Sequence, residues 1–257
     1  MTDHIAATAG EDKQEMLGPP GPWGVWATLG WALLAMAFSF LVSVGASVGL
    51  ARWDNSLSDY QFLFRNGDPA ASSVLILGYL AVVLALVFAA RLAGWNASDY
   101  LALVRPRGRY VLLFGLLCVL LPPLITFAHA LQFDVSQLFN PHGFDRARAA
   151  NGLAVHAIEV ALAAPMMEEI LFRGFLYRGL SESRIGVVGT IILTSVTWAL
   201  MHVGHGSAGM IDIALHGVLW GWLRWYTGST IATIAVHVAN NALISALIVA
   251  NLYGWFG

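Results

Sequence analysis

Seven apolar runs, near residues 25–50, 72–93, 110–131, 152–177, 187–203, 209–226 and 229–253, occupy most of the chain. A helix needs about 20 predominantly apolar residues to cross the hydrocarbon core of a bilayer. Lipid offers backbone N–H and C=O groups no partner, so a spanning segment satisfies them within itself, as a helix does. The bulk numbers agree: 58% of residues are hydrophobic and only 11% are charged, against roughly 25% charged in soluble domains. The expectation is an all-α fold, a polytopic transmembrane bundle of about seven spanning helices, with roughly six to eight allowed by the length. Residues 1–22 read as a cytoplasmic N-terminal tail and residues 23–257 as a single transmembrane helical domain.

The opening stretch lacks the basic region and short apolar core of a cleavable signal peptide, so the first run is expected to stay as an anchor. Arg91, Arg105, Arg107, Arg109, Arg178 and Arg184 outnumber the basic residues of the first loop, Arg52 and Arg65. The positive-inside bias then places the N-terminus in the cytoplasm, which suits a bacterial cytoplasmic membrane. The net charge of -2, with no basic tract, argues against a nucleic-acid partner. Cys118, the single cysteine, has no partner for a disulfide within the chain. The segment "GWNASDYLALVRPRGR" alternates apolar and polar residues at helical spacing and is expected along the cytoplasmic interface.

One of these runs holds residues that lipid should reject. "APMMEEILFRG" sets Glu168, Glu169 and Arg173 among apolar neighbours, where an Asp or Arg costs about 2.5–3.5 kcal/mol at mid-membrane on insertion scales. Glu169 and Arg173 stand i, i+4 with the acid first, the favourable order for a helical ion pair. Glu168 lies about 100° around the helix from Glu169 and is the acid left over.

Later helices supply partners. Trp198 and His202 share one helix face at i, i+4, and so do His237 and Asn241. A lone histidine in an apolar helix is ordinarily a core residue, but two of them with a spare glutamate suggest a site. Asp212 with His216, and Gly217 with Gly221, read as packing features, the glycines allowing close helix approach. His156 with Glu159, and His129, read as interfacial, and His205 as facing water. One inconsistency stands: Glu168 and His202 lie about 20–30 Å from the turn at 183–186, but His237 only about 14 Å from Gly228. Either "TGST" is sunk into the membrane or the helices tilt and break.

The order EExxxR, aromatic-xxxH, HxxxN, each on a separate membrane helix, resembles the CPBP family, the intramembrane proteases that include CAAX-prenyl endoproteases and bacterial Abi-type proteins. The resemblance covers about 160–245, and the family usually has Phe where Trp198 stands. It implies an intramembrane endopeptidase with Glu168, His202, His237 and Asn241 at the catalytic centre, supported by Glu169, Arg173 and Trp198. The N-terminal half carries no comparable signature.

The chemistry fits these residue types. A carboxylate in a poorly solvated site is a competent base for water. His202 could hold that water and supply the leaving amine with a proton, while His237 and Asn241 could donate to the developing oxyanion. No cofactor is favoured, and the competing reading is a catalytic zinc held by Glu168, His202 and His237. The expected partners are a membrane-associated peptide or protein substrate and the lipid bilayer. Two other function classes compete: a non-catalytic membrane immunity or scaffold binder, and a proton-coupled transporter using the same acid and histidines.

Overall fold

A computed structural model describes residues 23–54, 67–107, 112, 115–116, 120 and 142–255, and its described residues form helices and no strand. Helix α1 covers Val25–Trp53 and α2 covers Pro69–Leu92. They are followed by α3, the single turn Ala97–Tyr100, and by α4, His142–Ala149. A long helix over 153–181, α5, leads through a short turn into α6, Gly186–Leu200, then α7, Gly206–Thr227, and α8, Thr230–Leu252. The all-α bundle expected from the sequence is the fold, and six of the seven apolar runs are seen as helices. The run at 110–131 lies largely outside the described residues, as do Cys118 and His129. Three helices, α1, α2 and α8, are long and apolar enough to cross a membrane by length and composition.

The boundaries follow local chemistry. Asp68 caps α2, its carboxylate accepting from the amides of Ala70 and Ala71, with Pro69 in the first turn, where a missing N–H costs nothing. Gly228 ends α7 in the left-handed conformation at φ 65°, the geometry glycine adopts without strain. Ser229 then caps α8 by accepting from Ala232 N.

Helix α5 runs through the interior and is not uniform. It passes from α-helix, Leu153–Ile158, through a π-turn, Glu159–Ala163, to α-helix again, Ala164–Glu169. A second π-segment, Ile170–Leu176, precedes the last α-turn, Tyr177–Ser181. Leu171, Phe172, Arg173, Phe175 and Leu180 on this helix are all but fully buried.

Helices α6 and α7 pack as a tight pair. A Cβ added at Gly217 would stand 2.7 Å from Ser195 Cβ, and one at Gly221 2.9 Å from an Ile191 methyl. The small-residue spacing therefore serves helix approach, as its pattern suggested.

The segment after α2 departs from the interfacial helix expected of it. Only Ala97–Tyr100 is helical, Tyr100 and Leu101 are fully buried, and Ala102 turns the chain at φ 49°. Its aromatic residues find a better burial inside the protein: Tyr100 packs edge-on to Trp95 and against Phe175, and the Arg178 guanidinium covers Trp95. The exposed carbonyls beyond Tyr100 receive the α7–α8 turn. Thr230 Oγ1 donates to Leu101 O at 2.7 Å, Thr230 N to Ala102 O at 2.8 Å, and Ser229 Oγ to Val104 O at 2.5 Å. Thr227, Ser229 and Thr230 are buried, so "TGST" is sunk into the protein beneath residues 101–104.

Candidate active site

Glu168 is the point on which three helices converge. Trp198 Nε1 of α6 donates to Glu168 Oε2 at 2.9 Å. His202 Nε2, in the turn just past the C-terminal end of α6, stands 3.7 Å from Glu168 Oε1, and His237 Nε2 of α8 stands 3.9 Å from Oε2. Glu168 and His202 keep 14% and 25% of their side-chain surface open, whereas Glu169 and Arg173 keep 0% and 1%. The reactive groups thus face a partly accessible space and the supporting pair is sealed.

The histidine tautomers can be read from their partners. His202 Nδ1 lies 2.8 Å from the carbonyl of Trp198. A carbonyl only accepts, so Nδ1 carries the proton and Nε2 faces Glu168. His237 Nδ1 lies 3.0 Å from Glu169 Oε1. An ionised carboxylate likewise takes the proton there and turns Nε2 towards Glu168. Glu169 therefore has a task that helical spacing does not reveal: the oxygen that accepts from Arg173 NH1 at 2.9 Å also orients His237.

Arg173 does more than neutralise Glu169. Its NH2 donates to Gly217 O at 3.1 Å, and its guanidinium lies over the Trp198 ring at 5.0 Å and the Trp220 ring at 5.7 Å. Arg224 Nε in turn donates to the Arg173 carbonyl at 2.9 Å.

Asn241 is engaged elsewhere. Its Nδ2 donates to Val160 O at 3.0 Å, and its Oδ1 lies 3.4 Å from Asn240 Nδ2. The amide meets the first π-turn of α5, one helical turn from His237, and makes no direct bond to Glu168.

The two Nε2 atoms stand 3.7 and 3.9 Å from different oxygens of Glu168, a little wider than the ~3.3 Å between neighbouring ligands of a tetrahedral zinc at about 2.0–2.1 Å. Among the described residues no group of three His, Cys, Asp or Glu side chains could hold a metal ion.

Sequence reasoning missed Trp220. It is fully buried in α7, with its ring 4.0 Å from His237 and 5.2 Å from Trp198 by centroids. His216 is 5.5 Å from Trp220 and so reaches the site only through that indole. The repeated tryptophans of "LWGWLRW" offered no way to choose Trp220 among them. Tyr79 of α2 was missed as well; its phenol lies within electrostatic reach of Glu168 and of Glu159. His205 is exposed, as expected. His156 and Glu159 are buried within the protein: Ser72 of α2 donates to Glu159 Oε2 at 2.7 Å, and His156 Nδ1 lies 3.0 Å from the same oxygen.

Residues 150–243 match the family model described as type II CAAX prenyl endopeptidase Rce1-like, which takes in α5 to most of α8 and all three motifs. No curated protein and no solved structure matches the chain.

Proposed function

We propose that this chain, a CAAX-type membrane protease of the Rce1-like family by its residues 150–243, cleaves a peptide bond of its membrane-associated substrate with water activated by Glu168. The observation that carries this reading is the open carboxylate facing two histidine Nε2 atoms at 3.7 and 3.9 Å. Both gaps exceed a direct hydrogen bond, and a water molecule beside the three groups could bond to each.

Glu168 takes a proton from that water as its oxygen attacks the substrate carbonyl carbon. The proton taken from water passes from Glu168 to the leaving amine through His202, whose Nδ1 stays anchored on Trp198. His237, oriented by Glu169, donates from Nε2 to the oxyanion when it is doubly protonated, and Arg173 holds Glu169 in place for that task. Preorganised donors of this kind are worth far more in a water-poor site than in bulk. Trp198 fixes the carboxylate through a bond that phenylalanine could not make. The substrate reaches the cluster from the bilayer, and the N-terminal tail is assigned to the cytoplasmic face of a bacterial membrane on the arginine excess of the 91–109 loop and the 178–184 turn.

The test is cleavage of a membrane-peptide library, prenylated and unprenylated, by purified protein in lipid, compared with Glu168→Gln and with bound metal quantified on the same samples. Cleavage lost only in the variant supports the reading. A stoichiometric metal whose chelation abolishes activity would replace the metal-free water, and a folded protein that cleaves nothing would favour a binder.

A further inference from the structure

The first π-turn of α5 is closed by Ala164 N donating to Glu159 O. Its next bond would run from residue 165 to Val160 O, but residue 165 is proline and has no N–H. Val160 O is left without a backbone donor, and it is this oxygen that Asn241 Nδ2 meets at 3.0 Å. Three observations on two helices therefore concern a single carbonyl.

We propose that Pro165 and Asn241 form a lock that holds the π-turn at 159–163 and thereby sets the rotational register of Glu168. The two halves act on the same choice. If the turn relaxed to α-helix, Ala164 N would move to Val160 O and displace Asn241. While Asn241 occupies Val160 O, Ala164 N stays with Glu159. Pro165 opposes the same relaxation, because in the α-register its ring would meet the carbonyl of residue 161. Absorbing one π-turn rotates the downstream part of α5 by about one residue's worth, ~100°, which would carry Glu168 away from the Nε2 atoms of His202 and His237. Asn241 also pins α8 to α5 one turn from His237, so the same bond fixes both partners of the site. Asn241 thus acts as a positioning residue through this bond.

The lock is tested by a cycle of Asn241→Ala, Pro165→Ala and the double variant, purified in lipid or detergent and read by thermal unfolding and by kcat and KM. With Pro165 present, Asn241→Ala is expected to lower Tm by about 2–4 °C, the shift for loss of ~1 kcal/mol in a domain of this size. It should also cut kcat at least tenfold with KM little changed. With alanine at 165, the N–H is restored and the ring clash is gone, so the turn can relax to α-helix whether or not Asn241 is present; Pro165→Ala should itself lower kcat, and Asn241→Ala should add little further loss in Tm or kcat. Equal losses in both backgrounds would overturn the lock and return Asn241 to direct contact with substrate. The kinetic half rests on the peptidase reading, but the thermal half does not. A protein that cleaves nothing would sink that reading, and the thermal cycle would still decide the lock.

Discussion

Helix α5 carries two acid-histidine clusters about two and a half turns apart, and they are built to opposite ends. At Glu159, one carboxylate oxygen takes both the Ser72 hydroxyl and the His156 ring, with Ser72 1% and His156 1% exposed and Phe144 packed edge-on to the imidazole. At Glu168, the histidines stop short of bonding distance and part of the carboxylate surface stays open. Both place a glutamate beside histidine in an apolar helix. The first is closed, with its polar atoms turned on one another, and ties α2 to α5. The second keeps its capacity for hydrogen bonding turned outward, and its rigidity comes from Trp198, Glu169 and Arg173 behind it. An intramembrane acid is thus not informative by type alone; what its partners leave unmade distinguishes a site from a clasp.

The sharpest way to break this comparison is to make one isosteric change at each acid. Glu168→Gln removes the base and keeps the shape. It should lower kcat by roughly 10²–10⁴-fold, the span of general-base contributions, with unfolding temperature unchanged. Single-turnover cleavage beside a thermal scan reads both quantities. Activity retained in the glutamine variant would remove Glu168 from the chemistry.

Arg173→Ala tests the sealed support. Glu169 and Arg173 are 0% and 1% exposed, and removing one partner of such a pair strands a charge at a cost of about 3–5 kcal/mol. The variant is expected to accumulate poorly, and whatever folds should have lost the orientation of His237. Wild-type yields of active protein would show that the ion pair is dispensable.

Glu159→Gln should give the mirror image of Glu168→Gln. An amide oxygen can still accept from Ser72, but its bond to His156 is weakened, so a loss of about 1–3 kcal/mol is expected. The activity per folded molecule should be kept. A kcat loss at unchanged stability would mean that the two clusters are functionally joined, and Tyr79, within reach of both acids, would be the residue to examine next.

Much of this architecture is legible in the sequence. Hydropathy marks the helices because lipid permits little else, and the i, i+4 spacing reveals the Glu169–Arg173 pair, since residues one turn apart on a helix face must meet. The EExxxR, WxxxH and HxxxN motifs also name the elements that bring Glu168, His202 and His237 together. The bonds between helices are not legible. Glu169 and His237 are 68 residues apart, and no local period encodes their contact. Trp220 is one of several tryptophans with nothing to separate it. The π-turns escape because an amphipathic count assumes 3.6 residues per turn throughout, and the burial of residues 95–102 escapes because an alternating pattern suits an interface and a capped interior turn equally well.

The smallest expected effect concerns the one position where the motif departs from the family's usual residue. Trp198 stands where phenylalanine is the usual residue, and its Nε1 donates to Glu168 Oε2 at 2.9 Å while its ring lies 5.0 Å from the Arg173 guanidinium. Trp198→Phe keeps an aromatic face for Arg173 but removes the donor, so Glu168 loses one of the groups that hold it still. A hydrogen bond to a charged group is worth about 1.5–3 kcal/mol, but a carboxylate that keeps some solvent access recovers part of that from water. A fall in kcat of about tenfold, ~1.4 kcal/mol at the transition state, is therefore expected, with KM and folding yield near wild type. An unchanged kcat would mean that the indole N–H serves packing geometry alone, and that Glu168 is positioned by its own helix. A loss as large as that of Glu168→Gln would instead place the indole N–H among the donors on which the chemistry depends, and the open cluster would then be more closely held than its 14% exposure suggests.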